Sequence, residues 1–135
     1  MSSGTQRLEW RTGLLFDGED SRGYHLPVSG DPELAGAKPS DLLPLSLAAC
    51  LAYDVVVVLR KKRQDLRRLT AVVQSEQEDV APQRFTRIDV RFEVAGRVEV
   101  AAAVRALELA QKNCPVLASI ASGVDVAVSI VVTGD

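Results

Sequence analysis

Histidine, cysteine and aromatic residues are scarce in this chain. Its 135 residues include one histidine (His25), two cysteines (Cys50 and Cys114), one tryptophan, two tyrosines and three phenylalanines. A lone histidine leaves one candidate base for a serine or cysteine triad. No recognised nucleophile motif accompanies His25, so it reads as an ordinary strand residue. Two cysteines and one histidine at this spacing match no structural zinc site. The glycines spell neither a phosphate loop nor a dinucleotide fingerprint. A formal net charge of -2 argues against general polyanion binding, which draws its affinity from many neutralised phosphates, so no nucleic-acid partner is expected. The opening residues Met1-Ser2-Ser3-Gly4-Thr5-Gln6 lack the basic and apolar regions of a signal peptide, which makes the cytoplasm the expected compartment. Reducing conditions there disfavour a merely structural disulfide.

What is abundant is apolar residues in patterned runs. The segment from Leu42 to Leu59 reaches membrane-spanning length. Pro44, Ser46 and Asp54 interrupt it, however, and an aspartate near a bilayer centre costs about 2.5 to 3.5 kcal/mol. A buried central helix is therefore expected, and no membrane association. Pro39 suits its first turn, Ser40 or Asp41 its start, and Pro44 is positioned to kink it early. The run Arg60-Lys61-Lys62-Arg63 marks its end, where cations complement the exposed carbonyls. Reading that run as a nucleic-acid patch would require further basic residues on the same face and aromatics for stacking.

Before the helix, Leu8, Trp10 and Thr12 alternate with charged neighbours, Asp17-Gly18 is a hairpin-turn dipeptide, and Tyr24 to Val28 reads as a strand. Trp10 is expected in a core or an interface. After the helix, Leu69, Ala71 and Val73 alternate toward Glu78, and Thr86, Ile88, Val90, Phe92 and Val94 alternate with charged residues. Glu76, Glu78 and Asp79 read as a solvated strand end. Val100, Val104 and Leu107 follow helical spacing. Cys114-Pro115 ends that helix, and a short apolar helix resumes at Val116. Ser122-Gly123 stops it, and Val124, Val126, Val128, Ile130 and Val132 form a final strand. Strands, long helix, strands, helix and strand make an α+β fold. The length fits a single domain over residues 1–135.

The long helix is apolar nearly all round, so it needs cover on most faces, and a homodimer is the natural source. Ser46, Cys50 and Asp54 fall one helical turn apart with Tyr53 beside them. That stripe either lines a site or leaves Cys50 as a small buried hydrophobe, with Ser46 bonded to a carbonyl of the preceding turn.

Two cysteine motifs carry a resemblance. The pattern Pro39-Ser40-Asp41-Leu42-Leu43 followed by Leu47-Ala48-Ala49-Cys50, and the later Asn113-Cys114-Pro115-Val116, resemble the OsmC/Ohr family of thiol-dependent hydroperoxide reductases. The continuation Asp54-Val55-Val56 and the segment Ala81 to Ile88 are also similar to that family. The resemblance implies an intertwined homodimer with the cysteine helices central and no metal or bound organic cofactor. It further implies that Cys50 attacks an organic hydroperoxide and becomes a sulfenic acid. Cys114 then closes a Cys50–Cys114 disulfide, which a dithiol reductant, in this family typically a dihydrolipoyl protein, reopens. Family peroxidases hold an activating arginine with a glutamate ten residues before the first cysteine. Here Ser40 occupies that position, with Asp41 next to it, and Arg7, Arg11 and Arg22 are the candidate arginines. The chain thus resembles the branch lacking the glutamate, and Ser40, Asp41, Arg11 and Asp54 are the possible supporting residues. The alternative is a non-catalytic dimeric module of the same fold that binds a small apolar ligand or senses redox state.

Overall fold

A computed structural model describes residues 2–134 of the chain. They group into two compact units that divide between Leu43 and Pro44, each described by itself.

The first unit is a three-stranded antiparallel sheet of β1 (Arg7–Thr12), β2 (Leu15–Glu19) and β3 (His25–Ser29), in the order β1-β2-β3. The β1–β2 turn lies at Gly13 and Leu14, where Gly13 adopts φ 54, a conformation that costs glycine little. The Asp17-Gly18 dipeptide, expected to turn, instead lies inside β2. The reason is register. Turning at 17–18 would set Phe16 and Leu15 opposite Glu19 and Asp20. The observed pairing aligns Leu8, Gly18 and Leu26 across the strands, and likewise Trp10, Phe16 and Val28. One face of the sheet is therefore apolar, and the other carries Arg7, Glu9, Asp17, Glu19 and His25. Trp10 keeps 66% of its surface exposed within the chain, with its indole N–H donating to the Gly13 carbonyl at 2.9 Å. The β2–β3 turn is held by Asp20, whose carboxylate accepts from the backbone N–H groups of Arg22 and Tyr24, each at 2.9 Å.

A 3-10 turn over Pro39–Asp41 leads into helix α1 (Leu42–Lys61). Because the α-helix begins at Leu42, Pro44 falls in its first turn, where its missing N–H breaks no helical bond. At the other end Arg63 takes φ 56. Its N–H reaches the Arg60 carbonyl and the Gln64 N–H reaches the Leu59 carbonyl, both at 2.9 Å, a Schellman closure made without glycine.

The second unit's sheet has β5 (Phe85–Arg97) at its centre, antiparallel to β4 (Asp65–Gln77) and parallel to β6 (Asp125–Gly134). A parallel neighbour needs a crossover, and α2 (Val100–Asn113) with α3 (Pro115–Ile120) supplies it. The alternation read from the sequence is realised. Ile88, Val90, Phe92 and Val94 are buried, and Phe92 lies between Ala71 of β4 and Ile130 of β6. Leu47, Leu51, Val55 and Leu59 of α1 join the same core. Helix α1 has the length and hydropathy of a membrane span, but a third of that stretch is buried within the fold. Leu45 and Tyr53 on its other side remain 59% and 70% exposed.

Helix α2 keeps only part of the expected stripe. Leu107 is buried as expected, but Val100 and Val104 are 65% and 44% exposed, and Ala102, Ala103, Ala106 and Ala110 are buried in their place. Alanines bring the helix axis close to its neighbours, and burying a side of small residues leaves the valines outside. Glu76, Glu78 and Asp79 are exposed as expected, with Glu78 paired to Arg84 at 3.3 Å.

Candidate functional site

Proline sets the position of Cys114. The ring of Pro115 disfavours helical geometry in the residue before it, and Cys114 accordingly is extended at φ -80 and ψ 112, ending α2 and preceding α3. Pro115 then sits at the first position of α3, where proline is favoured. The side chain of Cys114 caps that helix, its Sγ accepting the Leu117 N–H at 3.4 Å. Sequence reading singled out Cys114 and Pro115. It did not see that a sulfur would take the capping place that a serine or aspartate oxygen usually fills.

Cys50 lies in the middle of α1, half-buried against the core, whereas Cys114 is 2% exposed. The two thiols are neighbours and interact directly. Burial pushes the Cys114 thiol above its ordinary pKa, and a hydrogen bond with Cys50 pushes it the same way. The N–H groups of Leu117 and Val116 pull in the opposite sense without prevailing, and no cation is among the groups acting on this sulfur. Cys114 is therefore a protonated, water-shielded thiol at neutral pH. It stands beside a more accessible one, and both are free.

Asp54, one turn beyond Cys50, is half-buried, and Tyr53 is exposed. Ser40 and Asp41 occupy the 3-10 turn of the first unit. Arg11 stands on β1 and is engaged within its own sheet, 2.9 Å from Glu9 and 3.2 Å from Asp17. His25, the first residue of β3, places Nδ1 2.9 Å from the same Asp17 carboxylate. That hydrogen bond, with the Arg11 contacts, lowers the Asp17 pKa. His25 thus belongs to a surface charge lattice. Among the described residues, no group of three or more His, Cys, Asp or Glu side chains converges as a metal site.

The first unit holds a feature that sequence reading missed. Over its apolar sheet face runs a groove of ≈ 470 Å³ lined by Leu8, Gly18, Leu26, Val28 and Leu42, with Tyr24 at its side. A Cβ at Gly18 would stand 3.1 Å from the Leu26 carbonyl oxygen, 3.7 Å from Val28 and 3.8 Å from Leu8, all three being residues that line the groove. The available signal was the glycine in a strand, which marks a close approach or an opened surface as often as a turn.

The sequence pattern of the OsmC family, described as "OsmC-like protein", matches residues 30–129. Protein YhfA of Escherichia coli K12 is 34% identical over 122 residues, covering 89% of this chain and 91% of YhfA. A crystal structure of a hypothetical protein from Aquifex aeolicus superimposes with a TM-score of 0.90 at 24% identity, covering 100% of this chain and 99% of that one. An organic hydroperoxide resistance protein OsmC from Legionella pneumophila gives a TM-score of 0.69 at 17% identity, over 96% of this chain and 97% of that protein.

Proposed function

Because the chain belongs to the family of OsmC-like proteins, we propose that it is a thiol peroxidase that reduces organic hydroperoxides to alcohols through Cys50 and Cys114. One observation carries the reading: the half-buried Cys50 thiol lies beside a buried Cys114 that is held protonated.

In the first step the Cys50 thiolate attacks the O–O bond of the hydroperoxide. One oxygen passes to sulfur, and the other leaves as an alkoxide that takes a proton and departs as the alcohol. Cys50 is now a sulfenic acid. Cys114 then attacks that sulfur, its proton and the sulfenic hydroxyl leave together as water, and the Cys50–Cys114 disulfide closes. The direction of the Cys114 shift suits this order. A thiol kept protonated and shielded by burial competes poorly for peroxide, yet it stands beside Cys50 and meets the sulfenic acid once that forms. A dithiol reductant, for which a dihydrolipoyl protein is the family expectation, returns both thiols. Leucine and valine neighbours of α1 favour an organic peroxide over hydrogen peroxide.

The reduced chain should lose two free thiols on treatment with cumene hydroperoxide without reductant. Peptide mapping should recover a Cys50–Cys114 disulfide and one cumyl alcohol per pair. Retention of both thiols in excess peroxide would remove the peroxidase reading.

The proposed assembly is a homodimer, and the proposed compartment is the cytoplasm. Leu45 and Tyr53 on the exposed side of α1 are the kind of surface a second copy covers. Sedimentation equilibrium at micromolar concentration should return twice the chain mass, and a monomer would contradict the assembly.

A second reading has its own observation. The groove over Gly18 is apolar and of a size that holds a small organic molecule. In that reading the chain binds an apolar ligand and its thiols are bystanders. Thiols inert to peroxide, together with a co-purified lipid-like molecule, would decide for it.

A further inference from the structure

Cations are unevenly paired over the molecule. Arg7, Arg11, Arg22, Arg84, Arg87, Arg91 and Arg105 each have a carboxylate within 4.0 Å. At one end of the second unit the pattern reverses. Arg60, Lys61, Lys62, Arg63, Arg68 and Arg97 make no ion pair among the described residues, and elsewhere only Lys38 and Lys112 share that state.

The fold joins the segments that carry them, the end of α1, the start of β4 and the end of β5. The Schellman closure at Arg63 turns the end of α1 straight into β4. Asp65 at the start of β4 stands opposite Arg97 at the end of β5. The Gln64 side chain accepts the Glu99 N–H at 2.8 Å, tying the start of α2 to the same place. Two grooves open there, one of ≈ 360 Å³ beside Lys62 and Glu99, the other of ≈ 560 Å³ between Arg63 and Arg97. The acids among the described residues at this end are Glu99 and Asp65, and Asp65 is already held by Arg67 at 3.0 Å.

The helix macrodipole accounts for Arg60 and Lys61 in the last turn of α1. It does not account for Arg68 and Arg97, which stand on strands, where the net dipole is small. Like charges gathered without counter-charges oppose one another, in a chain whose net charge is -2. We propose that this end is a docking surface for an acidic segment of a partner protein.

A short acidic segment fits better than a nucleic acid. No aromatic side chain lines either groove, so stacked bases have no platform. The cations are also concentrated at one end of an otherwise acidic molecule. A compact acidic segment engages them within the Debye length of about 8 Å, whereas a long polyanion meets the remaining negative surface. Lys61 lies eleven residues beyond Cys50 on α1, about 16 Å along the axis, so the surface is separate from the thiols and stands or falls independently of the peroxidase reading.

The test uses the full chain and a fluorescently labelled Glu/Asp-rich peptide, with binding read by anisotropy. The wild-type chain should bind, and binding should weaken as salt rises. The fourfold variant Lys61→Gln, Lys62→Gln, Arg68→Gln and Arg97→Gln, which spares the left-handed Arg63, should bind at least about tenfold more weakly. A control with Arg22, Arg84, Arg91 and Arg105 each changed to Gln should bind as the wild type does. Equal weakening in the control, salt-insensitive binding, or tighter binding of a labelled oligonucleotide of equal charge would overturn the proposal.

Discussion

Replacing Cys50 by serine should reduce hydroperoxide consumption to the uncatalysed rate. The proposed chemistry needs a thiolate at that position. Serine cannot supply one, because its hydroxyl is a far weaker acid than a thiol and offers no comparable nucleophile. Replacing Cys114 by serine should act differently. The first turnover should proceed, because Cys50 is intact, and one equivalent of peroxide should give alcohol equal to the protein, with a second equivalent released on further oxidation. With no thiol beside the sulfenic acid, a second peroxide should carry Cys50 on to the sulfinic acid, visible by mass spectrometry as two added oxygens. Steady-state activity should then be lost even with reductant present. If the Cys50→Ser chain consumed peroxide as fast as the wild type, the proposed assignment of Cys50 would fail. If instead Cys114→Ser behaved as the peroxide-inert variant, the two sulfurs would have their roles exchanged.

Gly96→Ala should destabilise the chain by about 3 kcal/mol or more, lowering the thermal midpoint by about 10 °C. Gly96 lies near the end of β5 at φ 124, in a region that L-residues rarely adopt. It faces the irregularity between Leu66 and Arg68 in β4. A Cβ there would run into the backbone carbonyl of Asp65 and would stand 2.8 Å from the Arg67 amide nitrogen. These are backbone atoms and cannot swing aside as a flexible side chain would. Gly123→Ala is the control, since its Cβ would meet nothing within 4 Å and its φ lies outside the left-handed region. It should change stability by less than about 1 kcal/mol, with a small gain the expected direction because the unfolded chain loses freedom. Thermal melts of the two variants, side by side, separate the steric effect from the general cost of replacing glycine.

Much of this protein is legible in its sequence because the burial pattern repeats the period of the element that carries it. The alternation from Ile88 to Val94 is the buried face of β5, and the apolar run after Leu42 is α1. Cys114-Pro115 marks the α2–α3 break for a local steric reason that needs no tertiary contact. The misreadings occur where a local signal competes with a non-local one. Asp17-Gly18 has the chemistry of a turn, but cross-strand pairing of Leu8, Phe16, Leu26 and Val28 moved the turn to Gly13. Val100 and Val104 mark a hydrophobic stripe, but packing selected the alanine face of α2.

The cysteine pair divides along the same line. Residue order determines that Cys50 falls in mid-helix and that Cys114 precedes a proline, because helix continuation and the proline ring act over a few residues. Sixty-three residues separate the two along the chain, and only the packing of α1 with the α2–α3 junction decides that they meet. The same packing buries one thiol and leaves the other half-open, whereas the cap that Leu117 N–H makes to the buried sulfur spans three residues and is local. The unpaired basic end has a similar origin. The sequence determines Arg60 to Arg63 as a run, and β4–β5 register alone adds Arg97 to it, because strand pairing joins residues that covalent order keeps far apart.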